Sequence, residues 1–145
     1  NSRFRQVIDI RDSGKDVIQD RTIYEDAMIF APNLYTMGLM ESRDFENYRS
    51  LFDLMVKFLK APDLLIYLRA SVPTLMRQIA KRNRDYEQSI RLDYLSNLND
   101  RYEEWIGNYK EGKLLIIDID DIELEKPEDL GSVVEKIEAS LNGLF

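Results

Sequence analysis

The sequence contains no cysteine and no histidine. The first absence excludes disulfides and a thiol nucleophile. Together they exclude a Cys/His zinc site, a Ser-His-Asp triad and a histidine general base. Chemistry on this chain must run on carboxylates, arginines, lysines, hydroxyls and bound groups. Long apolar runs are also missing, and none approaches the ~18 residues a membrane span needs. No basic leader with an apolar stretch and a small-residue cleavage site opens the chain. A cytoplasmic setting with no membrane partner is therefore expected. Glycine is sparse, and Ser13-Gly14-Lys15-Asp16 lacks the G-x-x-x-x-G-K-[ST] spacing of a phosphate loop. It reads as a surface turn.

What is present suits one globular domain. The 145 residues are 44% hydrophobic and 32% charged, more charge than the usual quarter. The formal net charge of -7 argues against a nucleic acid polymer as partner, since such proteins carry a basic face. The charge is uneven. Residues 117–145 hold nine acids against Lys126 and Lys136, whereas Arg77, Lys81, Arg82, Arg84 and Arg91 crowd one short stretch. Cations concentrated in an acidic protein can hold an anion, although a solvated helix end explains them as well.

Apolar spacing divides the chain into alternating elements. Phe4, Val7 and Ile8 have helical spacing with no capping pair before them and no initiating methionine. The chain is therefore expected to be part of a longer one. Asp16 to Asp20 reads as a short strand. Thr22 and Glu25 have capping-box spacing for a helix bent or interrupted at Pro32. Asp44 is expected to cap a helix with apolar positions at Phe45, Tyr48, Leu51, Phe52, Met55, Phe58 and Leu59. Asp63 to Arg69 reads as a strand covered on both faces. Ser71 and Pro73 open another helix, and Lys81 to Glu87 reads as a charged loop. A helix from about Gln88 to Tyr109, a strand from Lys113 to Asp118 and a helix from Pro127 complete the order.

Strands alternating with helices predict a parallel sheet, and ligands then gather beyond the carboxyl ends of the strands. Asp20, Arg21, Arg69 and Asp118 occupy those ends. Asp20-Arg21-Thr22 places an acid that can order metal-bound water beside an arginine that can pair with phosphate. A plain Asp–Arg ion pair accounts for it equally well. Asp26 and Phe30 are four apart, so a carboxylate and a ring share one helix face and can hold a planar ring, although a core phenylalanine beside a surface aspartate accounts for the pair more simply. The run Lys81-Arg82-Asn83-Arg84 offers guanidinium forks for phosphate oxygens, or a solvated connector. The acidic turn from Asp118 to Glu123 lacks the register of a calcium loop.

Taken in order, these segments resemble the deoxynucleoside kinase family. The residues that carry the resemblance are Gln19-Asp20-Arg21-Thr22-Ile23-Tyr24-Glu25-Asp26, Ile29 to Tyr35, Pro62 to Leu68, Lys81 to Glu87, and Tyr94-Leu95 through Tyr102-Glu103-Glu104-Trp105. The match looks like the bacterial deoxyadenosine/deoxyguanosine kinase branch and covers nearly the whole chain. It implies an α/β fold of the P-loop NTPase type, a parallel sheet flanked by helices with three of its five strands present. Residues 1–145 would be the C-terminal portion of one kinase domain, with a lid at about residues 77–91. The phosphate loop, the general-base carboxylate and an arginine partner of Asp26 are expected upstream of Asn1. The chain alone is then expected to be inactive in an ADP-release assay.

The resemblance also implies roles. Asp20 would order the shell of Mg²⁺. Arg21 would hold the 5′-oxygen and the transferred phosphoryl. Asp26 would read the base, pointing to a purine or cytosine deoxynucleoside, with deoxyadenosine foremost, and Phe30 would line its pocket. Arg82 and Arg84 would clamp the phosphates of ATP. Glu87 would contact the sugar 3′-hydroxyl, and Asp120 and Asp121 would border the donor adenine. Gln78 and Asn83 depart from the arginine and glycine that many members carry. A homodimer is implied. The alternative from another class is a non-catalytic acidic helical module that docks a partner protein.

Overall fold

The computed structural model describes residues 2–82 and 92–143. Contacts divide the chain into two units, Asn1–Lys60 and Ala61–Phe145, which are taken in turn.

The first unit is helical. Helix α1 (Ser2–Ser13) ends at Gly14, whose φ of 64° is a left-handed conformation that glycine adopts without strain. The expected strand over 16–20 does not form. This segment has no ladder partner among the described residues, and Val17 and Ile18 stand in solvent rather than on a sheet face. Strand propensity without a partner to hydrogen-bond does not make a strand.

Thr22 is extended and precedes the short helix α2 (Ile23–Glu25). Glu25 Oε1 accepts the Thr22 N–H at 3.0 Å, in the capping box that the spacing predicts. A π-helical turn follows over Asp26–Phe30, closed by the Ala31 N–H donating to the Asp26 carbonyl, and leads into α3 (Ala31–Thr36). Pro32 accounts for the wider turn. It has no N–H to give Met28, and its ring crowds the preceding turn, so an extra residue is taken up there. The helix is neither broken nor regular. It continues beyond the proline.

Helix α4 (Ser42–Val56) starts two residues before the expected cap at Asp44. Glu41 is the extended flanking residue, and Asp44 sits in the first turn, where its charge suits the helix dipole. Ile23, Ala27 and Phe52 form the buried centre of this unit, with Phe4, Tyr48, Met55, Val56 and Leu59 packed on it. One apolar cluster therefore ties α1, the segment 22–30 and α4 together.

The second unit holds a parallel pair of strands. In β1 (Leu65–Arg69) and β2 (Leu114–Asp118), Leu65 lies opposite Leu114 and Arg69 opposite Asp118. Helices α5 (Val72–Arg82) and α6 (Leu92–Gly107) make the crossover, and α7 (Pro127–Leu141) follows β2. Ile117, Leu95, Ile106 and Val133 are buried. β1 is not covered evenly on both faces as expected. Leu65 is buried, whereas Ile66 and Leu68 are 37% and 45% exposed. Gly112 passes close to Pro62: a Cβ there would meet the Pro62 carbonyl oxygen at 3.3 Å. Of the three expected strands, two are present among the described residues.

Candidate functional site

Segment 20–30 gathers the site of the first unit. Arg21 has a φ of 62°, a left-handed conformation that a residue with a Cβ adopts at a cost. Its guanidinium stands 4.0 Å from the centroid of the Phe30 ring. Its Nη2 donates to Asp26 Oδ1 at 3.2 Å. Its Nε is 3.6 Å from Glu25 Oε2, within ion-pair range but too long for a hydrogen bond, and that buried Nε has no hydrogen-bond partner.

Arg3 of α1 supplies the other side. Its Nε lies 3.1 Å from Asp26 Oδ2, so each carboxylate oxygen meets its own arginine. Its Nη1 also donates to the carbonyls of Asp20, at 3.4 Å, and Arg21, at 3.3 Å. One side chain thus pins both the strained backbone and the carboxylate. An arginine partner of Asp26 is expected upstream of the chain; among the described residues Arg3 and Arg21 both pair with it. Spacing could not have found Arg3, because nothing local links residue 3 to residue 26. Tyr48 of α4 belongs to the same neighbourhood. Burial, and then the Asp26 charge, push its phenol above the ordinary tyrosine value.

Asp20 is exposed, and its carbonyl is held by Arg3. No group of three or more carboxylates close enough to hold a metal occurs among the described residues. A lone accessible carboxylate nevertheless fits Mg²⁺, which keeps several waters and takes one or two carboxylates plus substrate phosphates.

In the second unit the carboxyl ends of the strands carry two clusters. Glu103 Oε1 accepts both the Tyr67 hydroxyl and Arg69 Nε at 3.0 Å. Burial, then the bond to Glu103, raise the Tyr67 phenol well above its ordinary value. Tyr67 also stacks on Tyr102, with centroids 6.0 Å apart. Neither Tyr67 nor Glu103 was singled out from the sequence.

The second cluster is the acidic turn after β2. Asp118 Oδ1 accepts the Asp120 N–H at 3.0 Å, and Asp129 Oδ2 accepts that of Glu123 at 2.8 Å. Asp120 Oδ1 accepts the Ser71 N–H at 2.8 Å, holding the start of α5. That bond first, and then the Thr74 hydroxyl, keep the Asp120 carboxyl below the usual aspartate range. Arg77 Nη2 donates to the buried Thr74 hydroxyl at 2.8 Å. These acids are engaged with backbone amides and hydroxyls. Lys81, near the far end of α5, pairs with Glu125.

The structure therefore brings together Arg21, Asp26 and Phe30. Asp120 and Arg82 stand at opposite ends of α5. Lys81 and Arg82 of the expected loop are helical, Asp121 is exposed, and Arg84 and Glu87 lie outside the described residues.

The comparisons agree with this α/β arrangement, whose fold is that of the P-loop kinases. A family model, deoxynucleoside kinase, matches residues 1–142, and the chain belongs to that family. It is 37% identical over 135 residues to deoxyadenosine kinase of Dictyostelium discoideum, covering 93% of this chain and 54% of that protein. It is 33% identical over 138 residues to deoxyadenosine/deoxycytidine kinase of Bacillus subtilis, covering 93% of this chain and 64% of that protein. The chain thus spans between about half and two thirds of the length of these curated relatives. Among solved structures it resembles deoxyadenosine kinase from M. mycoides with dCMP and a flexible dCDP bound. The TM-score is 0.78 at 26% identity, covering 95% of this chain and 69% of that one. A second structure of that enzyme, with dCTP bound, gives 0.72 at 26% identity, covering 94% of this chain and 73% of that one.

Proposed function

We propose that the protein moves the γ-phosphoryl of ATP to the 5′-hydroxyl of a deoxynucleoside, deoxyadenosine foremost. The observation that carries this reading is Asp26, held between Arg3 and Arg21 beside the Phe30 ring. A carboxylate fixed by two guanidiniums, next to an aromatic face, can hydrogen-bond a base edge while the ring stacks on it. Relatives named for deoxyadenosine and deoxycytidine support the choice of substrate class.

Phosphoryl transfer works by positioning and by neutralising charge, so cations and a metal suffice around the phosphates. Mg²⁺, when bound, supplies charge neutralisation across the phosphate oxygens, and Asp20 would order its water shell. Arg21 would hold the 5′-oxygen. Arg82 and Arg84 would clamp the donor phosphates, and Glu87 would take the sugar 3′-hydroxyl. Asp121, exposed, would border the donor adenine, and Asp120 would shape the same turn through its bond to Ser71.

A homodimer in the cytoplasm belongs to the same proposal. Leu51 and Leu54 of α4 and the nearby Phe58 are 58%, 59% and 70% exposed, an apolar surface that a second copy can cover. The testing experiment is competition among the four deoxynucleosides in a coupled assay of ADP release by the full-length protein. Preference for deoxyadenosine is expected. Preference for thymidine, or no turnover with any of the four, would overturn the reading.

A further inference from the structure

In the proposed function Asp26 and Phe30 belong to the base and Arg21 to the 5′-oxygen. Arg21 itself rests against both of the others. Its guanidinium covers a face of the Phe30 ring at 4.0 Å, and its Nη2 takes Asp26 Oδ1 at 3.2 Å. On the functional reading, these are the ring on which a base would stack and the carboxylate that would read it. Arg3 holds only the other oxygen, Oδ2.

We propose that Arg21 is an internal occupant of the base pocket, which an incoming nucleobase displaces from Phe30 and Asp26, freeing the guanidinium to serve the 5′-oxygen. The proposal rests on the functional reading above. It gives the site an order of events: the base enters first, and only then does the cation become available to the reacting oxygen.

Three observations support an exchange rather than a permanent tie. A guanidinium and a planar base compete for one ring face, because both stack on it within a few ångströms. The Arg21 side chain is unsatisfied where it rests. Its Nε is buried without a hydrogen-bond partner, 3.6 Å from Glu25 Oε2. A buried donor left unpaired disfavours the resting position and so lowers the cost of leaving it. The backbone, by contrast, is fixed. Arg21 is left-handed, at φ 62°, and its carbonyl is held by Arg3 Nη1 at 3.3 Å. The side chain can therefore swing while the main chain stays. Arg3 keeps Asp26 paired throughout, so the carboxylate is not stranded when Arg21 departs.

The test separates displacement from ordinary substrate contact. The probe 2′,5′-dideoxyadenosine lacks the 5′-oxygen, so Arg21 has nothing to gain from binding it. With the full-length protein, Arg21→Gln should bind this probe about tenfold more tightly than the unmodified protein in calorimetry, the equivalent of about 1.4 kcal/mol. Equal or weaker binding by the variant overturns the exchange and leaves the functional reading standing, provided the unmodified protein binds deoxyadenosine. If neither protein binds either nucleoside, the functional reading and the exchange fall together. A second measurement needs no variant. The Arg21 Nε–H resonance should carry an upfield ring-current shift in the free protein and lose it with saturating deoxyadenosine. A shift that persists at saturation overturns the exchange.

Discussion

Arg3 Nε lies 3.1 Å from Asp26 Oδ2, across twenty-two intervening residues and between two different helical segments. The same guanidinium holds the carbonyls of Asp20 and Arg21. Both partners are mostly shielded, with side chains 28% and 31% exposed. Arg3→Ala should therefore destabilise the protein by about 1–2 kcal/mol, more than an exposed pair contributes. Urea unfolding of Arg3→Ala, Asp26→Ala and the double variant checks this. Strict additivity would show that the two residues are not coupled.

Base choice should depend on Asp26. Asp26→Ala removes the carboxylate that pairs with both Arg3 and Arg21, leaving two cations facing a base edge. The preference for deoxyadenosine over thymidine should fall by about tenfold or more, the worth of one charged hydrogen bond. The ratio of kcat/KM values in competition measures it. An unchanged ratio would make Asp26 a structural residue.

Arg84→Ala bears on the lid. A guanidinium that neutralises charge on a transferring phosphoryl is worth ~10³-fold or more in kcat. The variant should lose turnover on that scale while its fold, followed by circular dichroism, is unchanged. Full activity in Arg84→Ala would remove the lid assignment.

Asp120 should stabilise the start of α5 in a pH-dependent way. Its carboxyl titrates below the ordinary aspartate value because the ionised form accepts the Ser71 N–H and the Thr74 hydroxyl. A depressed folded pKa contributes stability that is present above the unfolded value of about 3.9 and is lost as pH falls through the lower folded value. Asp120→Ala should therefore lower Tm at pH 6, and the gap between the two melting temperatures should narrow as pH falls below the ordinary aspartate value. A gap that stays constant across this range would show that the charge plays no part.

Glu103 joins β1 to α6 by accepting from Tyr67 and Arg69 at one oxygen. Tyr67→Phe removes one of those bonds and keeps the ring stacked on Tyr102. A loss of about 1 kcal/mol is expected in chemical denaturation. Because burial and Glu103 raise the Tyr67 phenol, its neutral form favours folding below about pH 10, the ordinary phenol value, and that contribution fades as pH rises further.

Much of the fold is legible in the amino-acid sequence. Helices α1, α4, α5, α6 and α7 and strands β1 and β2 follow from periodicity, Gly14, Pro73 and Pro127. These are local signals whose energetics act within one or two turns. The family was legible too, because its motif residues stand in order. The expected strand over 16–20 shows the limit. Its side chains suit a strand, but a strand is made by a hydrogen-bonded neighbour, and none is found among the described residues.

The sequence alone therefore determined most of the element types and singled out Arg21, Asp26 and Phe30. Only the tertiary structure decided that Arg3 is the partner of Asp26, that Asp120 caps α5, and that Glu103 gathers Tyr67 and Arg69. It alone placed Arg21 over Phe30, in the space proposed for the base. The physical reason is range. Helix and strand periods repeat over a few residues, whereas ion pairs, caps and ring contacts form between groups that only packing brings within 4 Å, and no local spacing records them.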